Sequence, residues 1–175
     1  MKKINLLLFI ITISFCENLF ADDNKKIKRI FEGEHNAKIK MITYESFTCS
    51  HCADFHTNVY PNLKKDFIDK GLVKIEFRHF PLDMAAFNAS KIAQCNNNGK
   101  SDLVHILYSG QKKWAKGKTP EEATDYLKKF LADESINIDY EKCLSNKDIE
   151  NYILNDRIEG VKIFKVNATP TIIIN

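Results

Sequence analysis

The 175-residue chain has no apolar run long enough to cross a bilayer, no marked excess of one charge, no internal repeat and no second closely spaced pair of cysteines. Each absence excludes something. The most apolar stretch, Ile4 to Phe15, is far shorter than the roughly 20 residues of a membrane-spanning helix, and Cys16, Glu17 and Asn18 end it. Preceded by Lys2 and Lys3, it has the form of a signal peptide, with the small Ala21 ahead of Asp22-Asp23-Asn24-Lys25-Lys26 as the best cleavage point. We read residues 1 to 21 as an export leader; the bulky Phe15 before Cys16 argues against a lipid-modified cysteine. The formal charge of +3, falling to +2 without Lys2, Lys3 and Glu17, argues against nucleic acid as a partner.

Four cysteines remain after cleavage: Cys49, Cys52, Cys95 and Cys143. An even number in an exported chain suggests disulfides, with three possible connectivities among which spacing does not choose. The lack of a second short pair also bears on metal binding. Cys49, Cys52 and His56 supply three zinc ligands where a structural site takes four.

Residues 22 to 37 are polar, charged and aperiodic, and are expected to form a flexible lead-in to a domain starting near Lys38. From residue 38 to 47, Ile39, Met41, Thr43 and Glu45 alternate with Lys40, Ile42, Tyr44 and Ser46, which predicts a strand. It runs into Cys49-Ser50-His51-Cys52. Beyond, Cys52, Phe55, Val59, Leu63 and Phe67 recur at helical spacing up to a stop at Gly71, with a kink expected at Pro61. His56 then falls on the helix surface, while His35, His79 and His105 receive no assignment. Val73, Ile75 and Phe77 alternate with Lys74, Glu76 and Arg78, so strand, helix and strand form a parallel crossover unit. Residues 84 to 165 read as all-helical, including candidates at 84 to 98, 101 to 114 and 146 to 165. Thr119-Pro120-Glu121-Glu122 is a strong start signal for another helix. The apolar run after Pro170 suits a buried strand.

Two cysteines two residues apart at the head of a helix are placed for redox chemistry. Unpaired N–H groups and the helix dipole favour a thiolate at Cys49, and thiolates, not thiols, attack disulfides. Cys52, one turn further in, closes a disulfide with Cys49 or resolves a mixed disulfide, and a protonated His51 adds positive charge beside Cys49. A metal site or a static bridge is the alternative for the pair taken alone; the strand–helix setting and the export leader favour redox. Pro170 in isolation reads as an ordinary trans proline at a strand entry. In a thioredoxin-like fold it would be a cis-proline beside the dithiol, leaving the backbone of Thr169 to pair with an extended substrate.

With Tyr44-Glu45-Ser46-Phe47-Thr48-Cys49-Ser50-His51-Cys52, then Phe80-Pro81-Leu82-Asp83, Gln94-Cys95, Cys143-Leu144 and Ala168-Thr169-Pro170-Thr171, the sequence resembles the DsbA family of thiol-disulfide oxidoreductases, of the alphaproteobacterial type. The resemblance covers about residues 38 to 175. It implies an α/β, thioredoxin-like fold interrupted by a helical subdomain, located in the periplasm and oxidising reduced exported proteins. It also implies reoxidation by a DsbB-like membrane oxidase. Cys95 and Cys143 match a second, non-catalytic pair linking two helices of the subdomain. Three departures stand out. Ser50 occupies a place where many members have proline. Thr43 stands where a strand glutamate is common, with Glu45 two residues later on the same face; Glu45 is either a solvated charge or a proton-transfer group for Cys52. The third is the ending at Asn175, where the family continues into a further strand and a final helix, so Thr171 to Ile174 would leave an apolar sheet edge exposed.

The resulting expectation is a monomeric periplasmic oxidase with Cys49 as nucleophile, Cys52 as resolving thiol, His51 tuning the thiolate and Thr169-Pro170 docking substrate. No cofactor or metal is expected beyond the redox-active Cys49–Cys52 pair. A disulfide isomerase or reductase, a metal-binding module and an inactive truncated relic are the rival readings.

Overall fold

The computed structural model describes residues 27 to 95 and 97 to 175. The export leader and its cleavage point lie outside these residues. Four strands form one sheet: β1 (Ile30–Glu32), β2 (Ile39–Glu45), β3 (Val73–His79) and β4 (Thr171–Ile174), in the order β1-β3-β2-β4. β2 and β3 are parallel, pairing Met41 with Ile75, Thr43 with Phe77 and Glu45 with His79; β1 and β4 run antiparallel on the two flanks. The alternation read from the sequence therefore places Met41, Thr43, Glu45, Ile75 and Phe77 together on one buried face.

That face is covered by a continuous helical run: α1 (Ser50–Asp54), a π segment (Phe55–Val59), α2 (Tyr60–Leu63) and a second π segment (Lys64–Ile68). In the π turns the backbone bonds reach five residues back, from Tyr60 N to Phe55 O and from Asp69 N to Lys64 O. Each such turn takes one residue more than an α turn. The inward positions after Phe55 are consequently Tyr60 and Ile68, whereas Val59 and Phe67, expected on the buried face, are exposed. The irregularity expected at Pro61 takes this form: the proline is the second residue of α2, in its first turn after a widened one, where its missing N–H is tolerated.

Over its described part, residues 27 to 37, the expected lead-in requires correction. Ile30 is buried, β1 pairs with β3, and Ala37 is buried as well. A three-residue strand flanked by charges carries too short an alternation to register in the sequence.

Between β3 and β4 the chain is helical: α3 (Met84–Cys95), α4 (Asp102–Ser109), α5 (Gln111–Trp114), α6 (Pro120–Asp133), α7 (Tyr140–Ser145) and α8 (Lys147–Lys162). The helix expected over 101 to 114 breaks at Gly110, where any Cβ would overlap the Phe130 ring of α6. Thr119 caps α6 by accepting from Glu122 N at 3.2 Å, and Glu122 reaches back to Lys118 N at 2.7 Å. On the second sheet face Tyr44 packs with Phe80 and Val166, under α8. Gly160 permits this close approach, since a Cβ there would stand 2.9 Å from the Tyr44 ring. Among the described residues β4 lies at the sheet edge, with Ile172 38% and Ile174 60% exposed.

Cys95 of α3 and Cys143 of α7 form a disulfide, their Cα atoms 5.4 Å apart, closing a loop with a sequence separation of 48. A cross-link over such a loop restricts the unfolded chain, worth about 2 to 4 kcal/mol. Replacing both cysteines by alanine should lower the unfolding free energy by that amount, read from urea transitions at a fixed redox state of Cys49 and Cys52.

Candidate active site

Cys49 is the N-cap of α1, with extended backbone, and no side chain caps the first turn. The positive end of the helix is thus left to the Cys49 sulfur. The thiol of Cys49 donates to the carbonyl of Thr169 at 3.3 Å, across the cis Thr169–Pro170 bond that leads into β4. Residues 120 positions apart in sequence thereby meet. Cys52 is fully buried, and both thiols are free. Burial pushes the Cys52 thiol well up from its ordinary range, and the negative charge of Glu45 adds to this against a backbone hydrogen bond at Ser46. His51, between the cysteines, is exposed.

The loop ahead of α1 is tied down from several sides. Cys49 N donates to Ser46 O at 3.0 Å, and Thr48 Oγ1 donates to Asp83 Oδ2 at 2.7 Å. From α5, the buried Gln111 side chain donates to the carbonyls of Phe47 at 2.8 Å and Cys49 at 2.9 Å. Nothing in the sequence marked Gln111, because it acts from the helical subdomain on backbone atoms and belongs to no motif.

Glu45 is a buried group, 5% exposed, which removes the reading of a solvated charge. Its Oε2 meets His56 Nε2 at 2.7 Å, while Oε1 has no partner. His56, expected on the helix surface, is 7% exposed because the first π segment holds it beneath the sheet. The same geometry withdraws it from the cysteines as a metal ligand: its Nδ1 lies 2.9 Å from His105 Nδ1 on α4. Among the described residues no group of three or more His, Cys, Asp or Glu side chains is arranged to hold a metal ion. His105 Nε2 in turn meets Glu32 Oε1 of β1 at 2.8 Å. Glu32 also accepts from Ser101 and Tyr60 and pairs with Lys64 at 3.3 Å. Burial alone would raise the Glu32 carboxyl; hydrogen bonds from His105, Ser101 and Tyr60 outweigh it and bring it from 4.5 down to about 2. His79 is separate from this group, bonded to Gln94 at 3.0 Å, and burial lowers its pKa.

A strand that ends in a dithiol at a helix N-terminus, with a cis-proline loop against the leading sulfur, defines the thioredoxin class of redox folds. The chain belongs to the thioredoxin family, whose model matches residues 25–175. It is similar to the crystal structure of Wolbachia pipientis alpha-DsbA1, with 30% identity and a TM-score of 0.75 over 84% of this chain and 74% of that one. Bacillus subtilis BdbD, 22% identical with a TM-score of 0.62 over 84% of this chain and 81% of that one, shares the fold. A Rickettsia bellii protein named as a protein-disulfide oxidoreductase is 30% identical over 148 residues, which are 82% of this chain and 55% of that protein. The chain thus spans about half the length of that relative.

Two predictions follow from the site. In the reduced protein at neutral pH, iodoacetamide should modify Cys49 and spare Cys52, whose raised pKa and burial cut its thiolate fraction more than about 100-fold; peptide mass mapping with and without denaturant checks this. Because the Glu32 carboxyl is depressed on folding, its contribution is complete above its ordinary value of 4.5 and is lost as pH falls toward about 2. Glu32→Gln should therefore remove on the order of 2 kcal/mol of stability at pH 6 and flatten the acid limb between these values, measured by urea unfolding across pH.

Proposed function

We propose that this chain is a periplasmic dithiol–disulfide oxidoreductase that introduces disulfides into reduced exported proteins. The observation that carries the reading is the placement of the Cys49 sulfur, at the head of a helix and 3.3 Å from the Thr169 carbonyl, with Cys52 buried behind it. A thiolate of the substrate attacks Cys49 in the Cys49–Cys52 disulfide. The Cys52 sulfur leaves, and a second substrate thiolate then attacks the substrate sulfur bound to Cys49, releasing the new substrate disulfide. An extended substrate docks against the backbone of Thr169-Pro170, beside the Cys49 sulfur. His51, exposed beside the nucleophile, contributes positive charge to the reacting sulfur when protonated, and Glu45 moves a proton to and from Cys52.

The pair is its own redox group, so no cofactor, metal or nucleic acid enters the cycle. The protein works as a monomer and is reoxidised by a DsbB-like membrane oxidase. The names of its relatives, protein-disulfide oxidoreductase in Rickettsia bellii and alpha-DsbA1 in Wolbachia pipientis, support thiol–disulfide exchange as the reaction.

The test is equilibration of the protein with a series of glutathione buffers, counting free thiols by mass spectrometry. A Cys49–Cys52 bridge reduced more readily than that of thioredoxin, whose potential is about −270 mV, is expected. Cys52→Ala should accumulate a mixed disulfide at Cys49, and Cys49→Ala should abolish exchange. A pair as hard to reduce as thioredoxin's would point to a reductase, and a pair that never closes would remove the oxidoreductase reading.

A further inference from the structure

Phe47, two residues ahead of the nucleophile, is buried, so its carbonyl has to find a donor inside the protein. That donor is the side chain of Gln111, at 2.8 Å, and the same nitrogen lies 2.9 Å from the carbonyl of Cys49. Only the nitrogen end of a carboxamide carries hydrogens, and it carries two. With a carbonyl acceptor against each, both hydrogens are used and the partners fix which way the amide points.

The side chain is mounted rigidly. Gln111 is the first residue of α5 and is itself buried. Just before it, Gly110 lies against the Phe130 ring with no room for a Cβ. At the other end of α5, Trp114 is fully buried and its indole N–H donates to Leu107 O at 2.9 Å. A shift of α5 would break one or other of these contacts, so Gln111 meets the dithiol loop from a fixed point.

The Cys49 carbonyl shares its peptide plane with the N–H of Ser50, and in a trans peptide the two point in opposite directions. Ser50 opens α1, where the first N–H groups have no partner within the helix. The carbonyl already accepts from Ala53 N at 3.2 Å, and the Gln111 hydrogen takes its second lone pair. A donor on a carbonyl polarises the whole amide and makes the N–H at its other end a stronger donor. Cys49 is the N-cap and no side chain caps the turn, so the strengthened dipole acts on the Cys49 sulfur. The bond to Phe47 O serves the same end. It holds the peptide inside the turn that Cys49 N closes on Ser46 O at 3.0 Å, and that turn keeps Cys49 in its N-cap position.

Resting on the function proposed above, we propose that Gln111 is a positioning residue for exchange at Cys49 and sets how readily that sulfur carries negative charge. The charge arises at a defined point of the cycle. A substrate thiolate attacks Cys49, and the electron pair of the Cys49–Cys52 bond leaves on Cys52. A second substrate thiolate attacks the substrate sulfur held by Cys49, and the electron pair of the mixed disulfide leaves on Cys49. Two substrate thiols have become a disulfide, and the protein disulfide has become a Cys52 thiol and a Cys49 thiolate. Of the two substrate protons, one is on Cys52 and one is in solvent. The Cys49 sulfur is neutral in the disulfide and charged in the reduced protein, so the Gln111 bond favours the reduced form. A stabilised reduced form is what makes a dithiol pair oxidising.

Gln111→Met keeps the length of the side chain and removes both hydrogens. In glutathione buffers its constant for reduction should fall about fivefold relative to wild type, the factor that one hydrogen bond's net contribution carries. The pH profile of Cys49 alkylation should move to higher pH, and in urea the dithiol form should lose more stability than the disulfide form. An unchanged constant with equal losses in the two forms would make Gln111 a structural clamp and overturn the proposal. A second measurement uses the wild-type protein: NMR of the Gln111 side-chain amide protons as Cys49 ionises in the dithiol form. They are expected to shift downfield along the same pH profile as Cys49 alkylation, and amide protons that do not respond overturn the proposal. If the wild-type pair does not equilibrate with glutathione at all, it is the oxidoreductase reading that has failed, a result distinct from either.

Discussion

A carboxylate on the inward face of a strand that is itself flanked on both sides has no route to water, and the rest of this structure is arranged around that fact. Glu45 ends β2 on the face that Met41 and Thr43 fill with packed atoms. A buried charge without partners costs several kcal/mol, so a donor has to be brought to it. The donor is His56, and an ordinary α-helix leaves that position at the surface. The widened turns of the helical run solve the problem, and His105 and Glu32 continue the chain of partners outward. Strand β1, the crossover helix and α4 are thereby committed to one set of bonds.

The helical subdomain is accordingly part of the site. His105 reaches the sheet from α4, and Gln111 holds the two carbonyls that precede the helical turn of the dithiol. Both lie within the loop closed by Cys95 and Cys143. Asp83, at the entry to α3, fixes Thr48 on the other side. The reactive loop is clamped by groups from segments far apart in sequence. Such second contacts give a loop of few residues a defined geometry.

Much of this was legible in the chain itself. The alternation in β2 and β3 predicted both strands and their faces, and the capping residues at Thr119 and Glu122 marked α6. The cysteine spacing at the end of a strand located the dithiol. What escaped has particular causes. The strand β1 is three residues long, so its alternation is indistinguishable from noise. The inward set Tyr60 and Ile68 was missed because hydrophobic spacing was matched to 3.6 residues per turn, and the π segments depart from that period. His56 was misplaced by the same error, and His105 and Glu32 went unassigned because their partners are distant in sequence and nothing local announces them. Gln111 acts on main-chain carbonyls, which leave no trace in residue identity.

The two π segments also bear on how this sequence can change in length. Each adds one residue to a turn that would otherwise close four residues back. Losing a single residue between Phe55 and Val59 would close the turn four residues back, and Tyr60, then at ordinary helical spacing from Phe55, would keep its inward face. His56 is one of the residues that the widened turn carries, so such a loss would fall on the partner of Glu45 and leave Cys49 and Cys52 untouched. The extra residue is therefore what lets one stretch of helix both pack its apolar face and hand a histidine to the buried carboxylate, two tasks that a shorter turn would separate.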